Sequence, residues 1–270
     1  MIPQLIALDI DGTLLPPGAR PLDLPNAEFQ LVIGELIAAG ISVVLATGRM
    51  YPGTASIARH LGIQLPLICQ QGGSTHALDG RLLREVSIDP EIAQGVVAYA
   101  KTNGWSYAWF DSQRYLVSAD SKQVQLFAEV SGVTAECLVE PEASGLVPLG
   151  TDIISTPEHA TAVHDQLKQQ YGDQIQLVNF PSVTAAYAPL ATKGQALAQL
   201  ARERSIAQSA VLAIGDSVND VSMLQWAGTG AVPEHCDGYA EAAADERLPG
   251  QGVAGVLEKL RSVLRQITAS

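Results

Sequence analysis

The sequence has 270 residues, 47% hydrophobic and 16% charged, which suffices to bury a full core as one large domain or two smaller ones and excludes a disordered chain. Its formal net charge of −12 leaves no basic patch to hold nucleic acid or an anionic membrane. Cys69, Cys137 and Cys236 lack disulfide or zinc-site spacing, no apolar run approaches the ~20 residues of a transmembrane helix, and Met1-Ile2-Pro3-Gln4 is no basic signal-peptide start, so a protein of the reducing cytoplasm is expected.

Residues 5–13 run Leu-Ile-Ala-Leu-Asp9-Ile10-Asp11-Gly12-Thr13. An unbroken apolar run predicts a parallel strand buried on both faces, and Gly12 allows a tight exit from the sheet. After a loop carrying Pro16, Pro17, Gly18 and Pro21, Asn26 can cap a helix with Phe29, Val32, Ile33, Leu36 and Ile37 on one stripe, ended by Gly40. Residues 41–46 predict a second strand ending at Thr47, 52–61 a helix closed by Gly62, and 65–70 a third strand. This alternation is that of a parallel sheet with crossover helices.

Beyond Gly72-Gly73 the texture changes. Asp79-Gly80 between two short β segments is a hairpin signal. Helices are expected over 90–103, 121–130 and 157–171, with strands over 106–110, 115–118, 146–155, 174–180 and 183–187. The expectation is an α+β module, most simply an antiparallel sheet with helices on one face. The parallel pattern then resumes with a helix opened by Lys193, a strand over 210–214, a short helix over 218–227 and a C-terminal amphipathic helix. The reading is therefore an α/β chain with a Rossmann-like parallel-sheet core formed by 1–84 and 188–270, interrupted by an α+β cap over 85–187.

Asp9, Thr47 and Asp216 each fall just past the carboxyl end of a predicted core strand, the edge where open α/β sheets bind ligands. Asp9, Asp11, Asp216 and Asp220 bring four formal negative charges to that edge against one positive charge from Lys193. A phosphate would be repelled unless a divalent cation joined them, and hard carboxylate oxygens without His or Cys favour Mg²⁺. Taken singly, these residues have plain readings: turn acids, a strand-end hydroxyl, a solvated lysine. Other patterns carry little. Gly228-Thr229-Gly230 is no dinucleotide fingerprint, and His159 and His164, five apart, do not share a helix face.

In order along the chain, Asp9-Ile10-Asp11-Gly12-Thr13, Thr47-Gly48-Arg49, Lys193-Gly194 and Gly215-Asp216-Ser217-Val218-Asn219-Asp220 resemble the four motifs of the haloacid dehalogenase-like (HAD) phosphohydrolases. The long insert between the second and third resembles the Cof-type subfamily with a type C2 cap. The resemblance implies a Mg²⁺-dependent phosphatase acting on a small phosphorylated metabolite, a sugar phosphate or similar phosphomonoester. It makes Asp9 the nucleophile that forms an aspartyl-phosphate and Asp11 the general acid and base. It assigns phosphate contacts to Ile10, Thr47, Gly48, Lys193 and Asn219, and the metal to Asp9, Asp11 (through its carbonyl) and Asp216. Asp220 and Arg49 are supporting residues, Asp220 orienting Lys193 or a metal-bound water and Arg49 meeting either substrate or a surface partner.

A phosphotransferase or phosphomutase of the same fold and a non-catalytic phospho-ligand sensor are the rival readings; a sensor has no need of both Asp9 and Asp11. The sequence leaves the subfamily pattern at Cys69-Gln70-Gln71-Gly72-Gly73, where an Asn-Gly pair is usual, and at Ala231-Val232-Pro233-Glu234-His235, in place of a Met-Gly-Asn segment. Trp105, Trp109, Asp111, Arg114 and Tyr115 are candidate cap contacts to substrate. The sequence does not specify oligomeric state.

Overall fold

The computed structural model describes residues 2–269. Strand β1 (Leu5–Leu8) is fully buried at all four positions, since both its faces are covered: Ile6 and Leu8 pack into one helical layer, Leu5 and Ala7 into the other. This is why its sequence does not alternate. Helix α1 (Ala27–Ala38) starts at Asn26, whose side chain accepts from the Glu28 and Phe29 amides, a cap worth about 1 kcal/mol. Its buried stripe is Phe29, Val32, Ile33 and Leu36. Strand β2 (Ser42–Leu45), helix α2 (Tyr51–Leu61) and strand β3 (Leu67–Cys69) follow.

β3 differs from the expectation of a third core strand. It joins the core sheet through a parallel bridge between Ile68 and Ala46, although Leu67, Ile68 and Cys69 all pack in the core. Its ladder is instead antiparallel, with β4 (Ser74–His76), which pairs with β5 (Leu82–Glu85) in the hairpin that Asp79-Gly80 turns.

The chain then builds the cap: α3 (Pro90–Thr102), β6 (Ser106–Phe110), β7 (Tyr115–Val117), α4 (Lys122–Ser131), β8 (Ala135–Cys137), β9 (Gly150–Ile154), α5 (Pro157–Tyr171), β10 (Gln176–Phe180) and β11 (Val183–Tyr187). Its sheet has the order β10-β11-β9-β6-β7-β8. All pairs are antiparallel except β7 with β8. Tyr107, Trp109, Ile153 and Ala186 pack with α3 and α5 on one face. Ala108, Phe110, Tyr115, Ala185 and Tyr187 line the other, with Val124 of α4 and Met50 of the core. Helices thus lie on both faces, not one, because α4 turns back to dock on α2. A Cβ on Gly53 of α2 would overlap the Val130 carbonyl at the end of α4.

The chain re-enters the core through α6 (Lys193–Glu203), β12 (Val211–Ile214), α7 (Val221–Trp226), β13 (Thr229–Val232), α8 (Gly238–Ala243), β14 (Glu246–Arg247) and α9 (Ala254–Thr268). The core sheet has the order β14-β13-β12-β1-β2, parallel throughout. From β1 the chain runs to β2 on one side, and β12 pairs on the other. The β1/β12 boundary is therefore the switch point at which such sheets open a crevice. Among the described residues no helix is long and apolar enough to cross a membrane.

Candidate active site

Asp9 follows β1 directly and Asp216 lies two residues past β12, and the register of these adjacent strands, Leu8 opposite Ile214, brings both acids to the switch point. One carboxylate oxygen from each of Asp9, Asp216 and Asp220 lies within 4.8 Å of the others. Gly12 makes the approach possible. It turns at φ +89, and a Cβ there would overlap the Asp216 carboxylate.

Lys193, at the start of α6, is completely buried, and its Nζ donates to Asp9 Oδ1 at 2.6 Å and Asp220 Oδ1 at 2.7 Å. Burial acts to lower the lysine pKa, but the Asp220 and Asp9 carboxylates outweigh it and raise the pKa, so the ammonium is held charged. Asp220 Oδ2 accepts the Asp216 and Ser217 amides, so both its oxygens are engaged. Asp9 and Asp216 each keep one carboxylate oxygen without a hydrogen-bond partner among the described residues, so these two acids offer the freest oxygens to a cation.

Those two acids sit in an environment that resists a lone negative charge. Burial, with Asp220, Asp216 and Asp11 nearby, pushes the Asp9 carboxyl up against the pull of Lys193. Burial and then Asp220 raise Asp216 to about 7, although Lys193 and the Thr13 hydroxyl, donating at 3.2 Å, work the other way. Desolvated carboxylates crowded so closely favour a divalent cation. The donor set fits one, being all oxygen; the Asp11 carbonyl beside it accepts no hydrogen bond from the described residues.

Asp11 is gripped by Arg49, whose Nε donates to Oδ2 at 2.8 Å and Nη2 to Oδ1 at 2.5 Å. The surface option for Arg49 does not describe this: the guanidinium is buried and also donates to the Val130 carbonyl of α4 at 3.3 Å. It therefore ties the acid to the cap. Thr47 Oγ1 accepts the Arg49 amide at 3.2 Å, which leaves its own proton to donate outward. Ile10 turns its side chain into the core, so only its backbone amide could face a ligand. Asn219 is half-buried on the loop before α7.

The candidate cap contacts have partners of their own, most of them within the cap. Trp109 packs under α3 and α5 with Nε1 donating to the Leu146 carbonyl, and Trp105 lies against Tyr99 and His159. Arg114 pairs with Glu136 on the surface, and Tyr115 is buried against Phe110 and Phe127. Asp111 reaches the core through its carbonyl, which accepts Gln70 Nε2 at 2.8 Å.

Sequence reasoning passed over His235, Thr13 and the side chain of Gln71. His235 Nε2 lies 2.6 Å from the Gly12 carbonyl, so that nitrogen carries the proton and braces the loop holding Asp11. The signal was present, since both departures from the subfamily pattern lie at this site.

Residues 6–260 match the family model described as haloacid dehalogenase-like hydrolase. The phosphatase YwpJ of Bacillus subtilis is 25% identical, with 97% of this chain and all of that protein covered. A phosphoglycolate phosphatase of Halorubrum lacusprofundi is 28% identical over 97% of this chain and 99% of its own. In fold, a haloacid dehalogenase-like hydrolase from Bacteroides thetaiotaomicron superimposes with a TM-score of 0.82 at 21% identity, over 96% of this chain and 99% of that one.

Proposed function

The chain belongs to the haloacid dehalogenase-like hydrolases and is a phosphatase of that family, and we propose that it hydrolyses a small phosphomonoester with Mg²⁺ through an aspartyl-phosphate on Asp9. The observation that carries this reading is the convergence of Asp9, Asp216 and Lys193 at one strand-end crevice, with Asp11 held beside them by Arg49.

Asp9 Oδ1 is fixed by Lys193, which leaves Oδ2 to attack phosphorus. Asp11, half-exposed and held by the Arg49 fork, gives a proton to the leaving alkoxide once one of its oxygens is released from Arg49 and protonated, then takes one from the water that cleaves the acyl-phosphate. Thr47 Oγ1, the Gly48 amide, Lys193 Nζ and Asn219 hold the phosphoryl oxygens over which charge spreads. Asp9, Asp216 and the Asp11 carbonyl would hold Mg²⁺, which when bound offsets the acids' charge and draws the phosphate in.

We assign residues 85–187 as the unit that selects the leaving group. A cleft of about 500 Å³ lies between cap and core, lined by His164, Lys168 and Gln176 on one side and Thr192, Asn219 and Ser222 on the other. Its walls mix these polar side chains with apolar ones, Ile175, Leu177, Pro189, Val218 and Val221, and it borders the site at Asn219; the Halorubrum relative is named for phosphoglycolate, a small phosphomonoester.

The test is turnover of an aryl phosphate and a panel of phosphorylated metabolites, with and without Mg²⁺, by wild-type protein and Asp9→Asn. We expect Mg²⁺-dependent release of inorganic phosphate, abolished in the variant with its fold retained. Near-normal turnover by D9N removes Asp9 as nucleophile. Transfer of the phosphoryl group to a sugar, with no phosphate released, replaces hydrolysis by phosphotransfer.

A further inference from the structure

The turn after β3 is where the sequence leaves the subfamily pattern, and it occupies the centre of the site. Gln70 and Gln71 are both buried and both left-handed, at φ 48 and 60. Two adjacent non-glycine residues in that region are retained only where surrounding contacts dictate them. Here the contacts are backbone bonds to the phosphate loop, from Gln70 N to the Arg49 carbonyl at 3.0 Å and from Gln71 N to the Thr47 carbonyl at 3.1 Å. On its far side the turn presses on α6, where a Cβ on Gly72 would overlap the Thr192 carbonyl. The turn thus lies among three elements that carry phosphate contacts, the Thr47–Gly48 loop, the Lys193 helix start and the Asn219 loop, and the Gln71 side chain reaches the first and the last of them.

A chain of hydrogen bonds fixes which way its carboxamide points. The Asp220 amide donates to the Ser217 hydroxyl in a capping box, so that hydroxyl gives its own proton to Asn219 Oδ1, 2.6 Å away. Asn219 therefore presents Nδ2 to Gln71 Oε1 at 3.1 Å. Gln71 Nε2 remains as a donor with no protein acceptor among the described residues. It stands where a Cβ of residue 48 would be, which explains the glycine there and places Nε2 beside the Gly48 amide.

We infer that Gln71 donates from Nε2 to an oxygen of the transferred phosphoryl group, joining Thr47, Gly48, Lys193 and Asn219. The inference rests on the phosphatase reading above and extends it to a residue outside the four motifs. Because the contact is to the phosphoryl group common to all substrates, it sets transfer rate and phosphate affinity, not the choice of leaving group.

The experiment compares wild type with Gln71→Gly, which adopts φ 60 without strain, and Gln71→Glu, which keeps the shape but exchanges the donor for an acceptor. Loss of one preorganised donor predicts a fall of roughly a hundred- to a thousandfold in kcat/KM, by the same factor for an aryl phosphate and for alkyl and sugar phosphates. Inhibition by orthophosphate should weaken in parallel, more in Q71E than in Q71G, with the Q71G thermal midpoint no lower than wild type. Unchanged orthophosphate inhibition and kcat/KM in Q71G overturns the inference, and so does a loss that varies with the leaving group. If wild type turns over no phosphomonoester, the parent reading fails by that measurement alone. Calorimetric binding of orthophosphate to wild type and Q71G in Mg²⁺ then still decides the role of Gln71.

Discussion

Asp152→Asn should convert a pH-sensitive cap into an insensitive one. Asp152 sits in the middle of β9, opposite Ala108 on one side and Ala185 on the other, and is 4% exposed. It faces Phe110, Tyr115 and Tyr187. Its carboxyl accepts from the Tyr115 hydroxyl at 3.2 Å. Burial pushes its pKa from 3.8 to about 7, with the Tyr115 bond pulling the other way.

The folded chain therefore binds this proton more tightly than the unfolded chain does. The stability gained from the neutral acid is complete below pH 3.8, declines as pH rises, and is gone above about 7. Three pKa units at 1.36 kcal/mol each make about 4 kcal/mol in all, of which about 3 kcal/mol falls between pH 5 and pH 8. Asparagine keeps an oxygen for the Tyr115 hydroxyl and never ionises. Urea unfolding at the two pH values should show D152N gaining about 3 kcal/mol on wild type between them. A gap that stays constant with pH would mean that Asp152 ionises in the fold as it does in water.

Arg49→Lys keeps the charge but loses the fork on Asp11 and the bond to Val130; kcat for phosphate release should fall about tenfold with Ki for orthophosphate little changed, and an unchanged kcat would separate Arg49 from the acid. Asp220→Ala leaves Lys193 buried with one partner, and denaturant unfolding should show a loss of roughly 3–5 kcal/mol. Adding Mg²⁺ to chelator-treated protein should raise the thermal midpoint with concentration, an effect that Asp216→Asn should remove and that a midpoint indifferent to Mg²⁺ would contradict.

The parallel core was readable because burial on both faces writes itself as continuous apolar runs: Leu5–Leu8 and Val211–Ile214 carry no polar residue at all. Strands that escaped the reading had no such imprint. β13 is Thr-Gly-Ala-Val, and β14 has only Glu246 and Arg247; each is held by its neighbour in the sheet, not by its own composition. β3 looked like a core strand because Leu67, Ile68 and Cys69 are as apolar as the others. Which neighbour a strand pairs with depends on where the hairpin of β4 and β5 folds back, and composition does not record that.

The same distinction separates the acids from the groups that orient them. Asp9, Asp11 and Asp216 are visible because charged residues at the ends of apolar strands are conspicuous, and strand register alone delivers them to one crevice. Gln71 is not conspicuous. Nothing in Gln-Gln-Gly-Gly shows that two glutamines will take positive φ, since that conformation is imposed by Thr47 and Arg49 accepting their amides. Nor does it show that a serine 146 residues later, through Asn219, will set which end of one carboxamide donates. Strand-end chemistry is local and legible, whereas donor direction depends on bonds that exist only after folding. Departures from a motif pattern are therefore where the sequence alone explains least and where the folded geometry adds most.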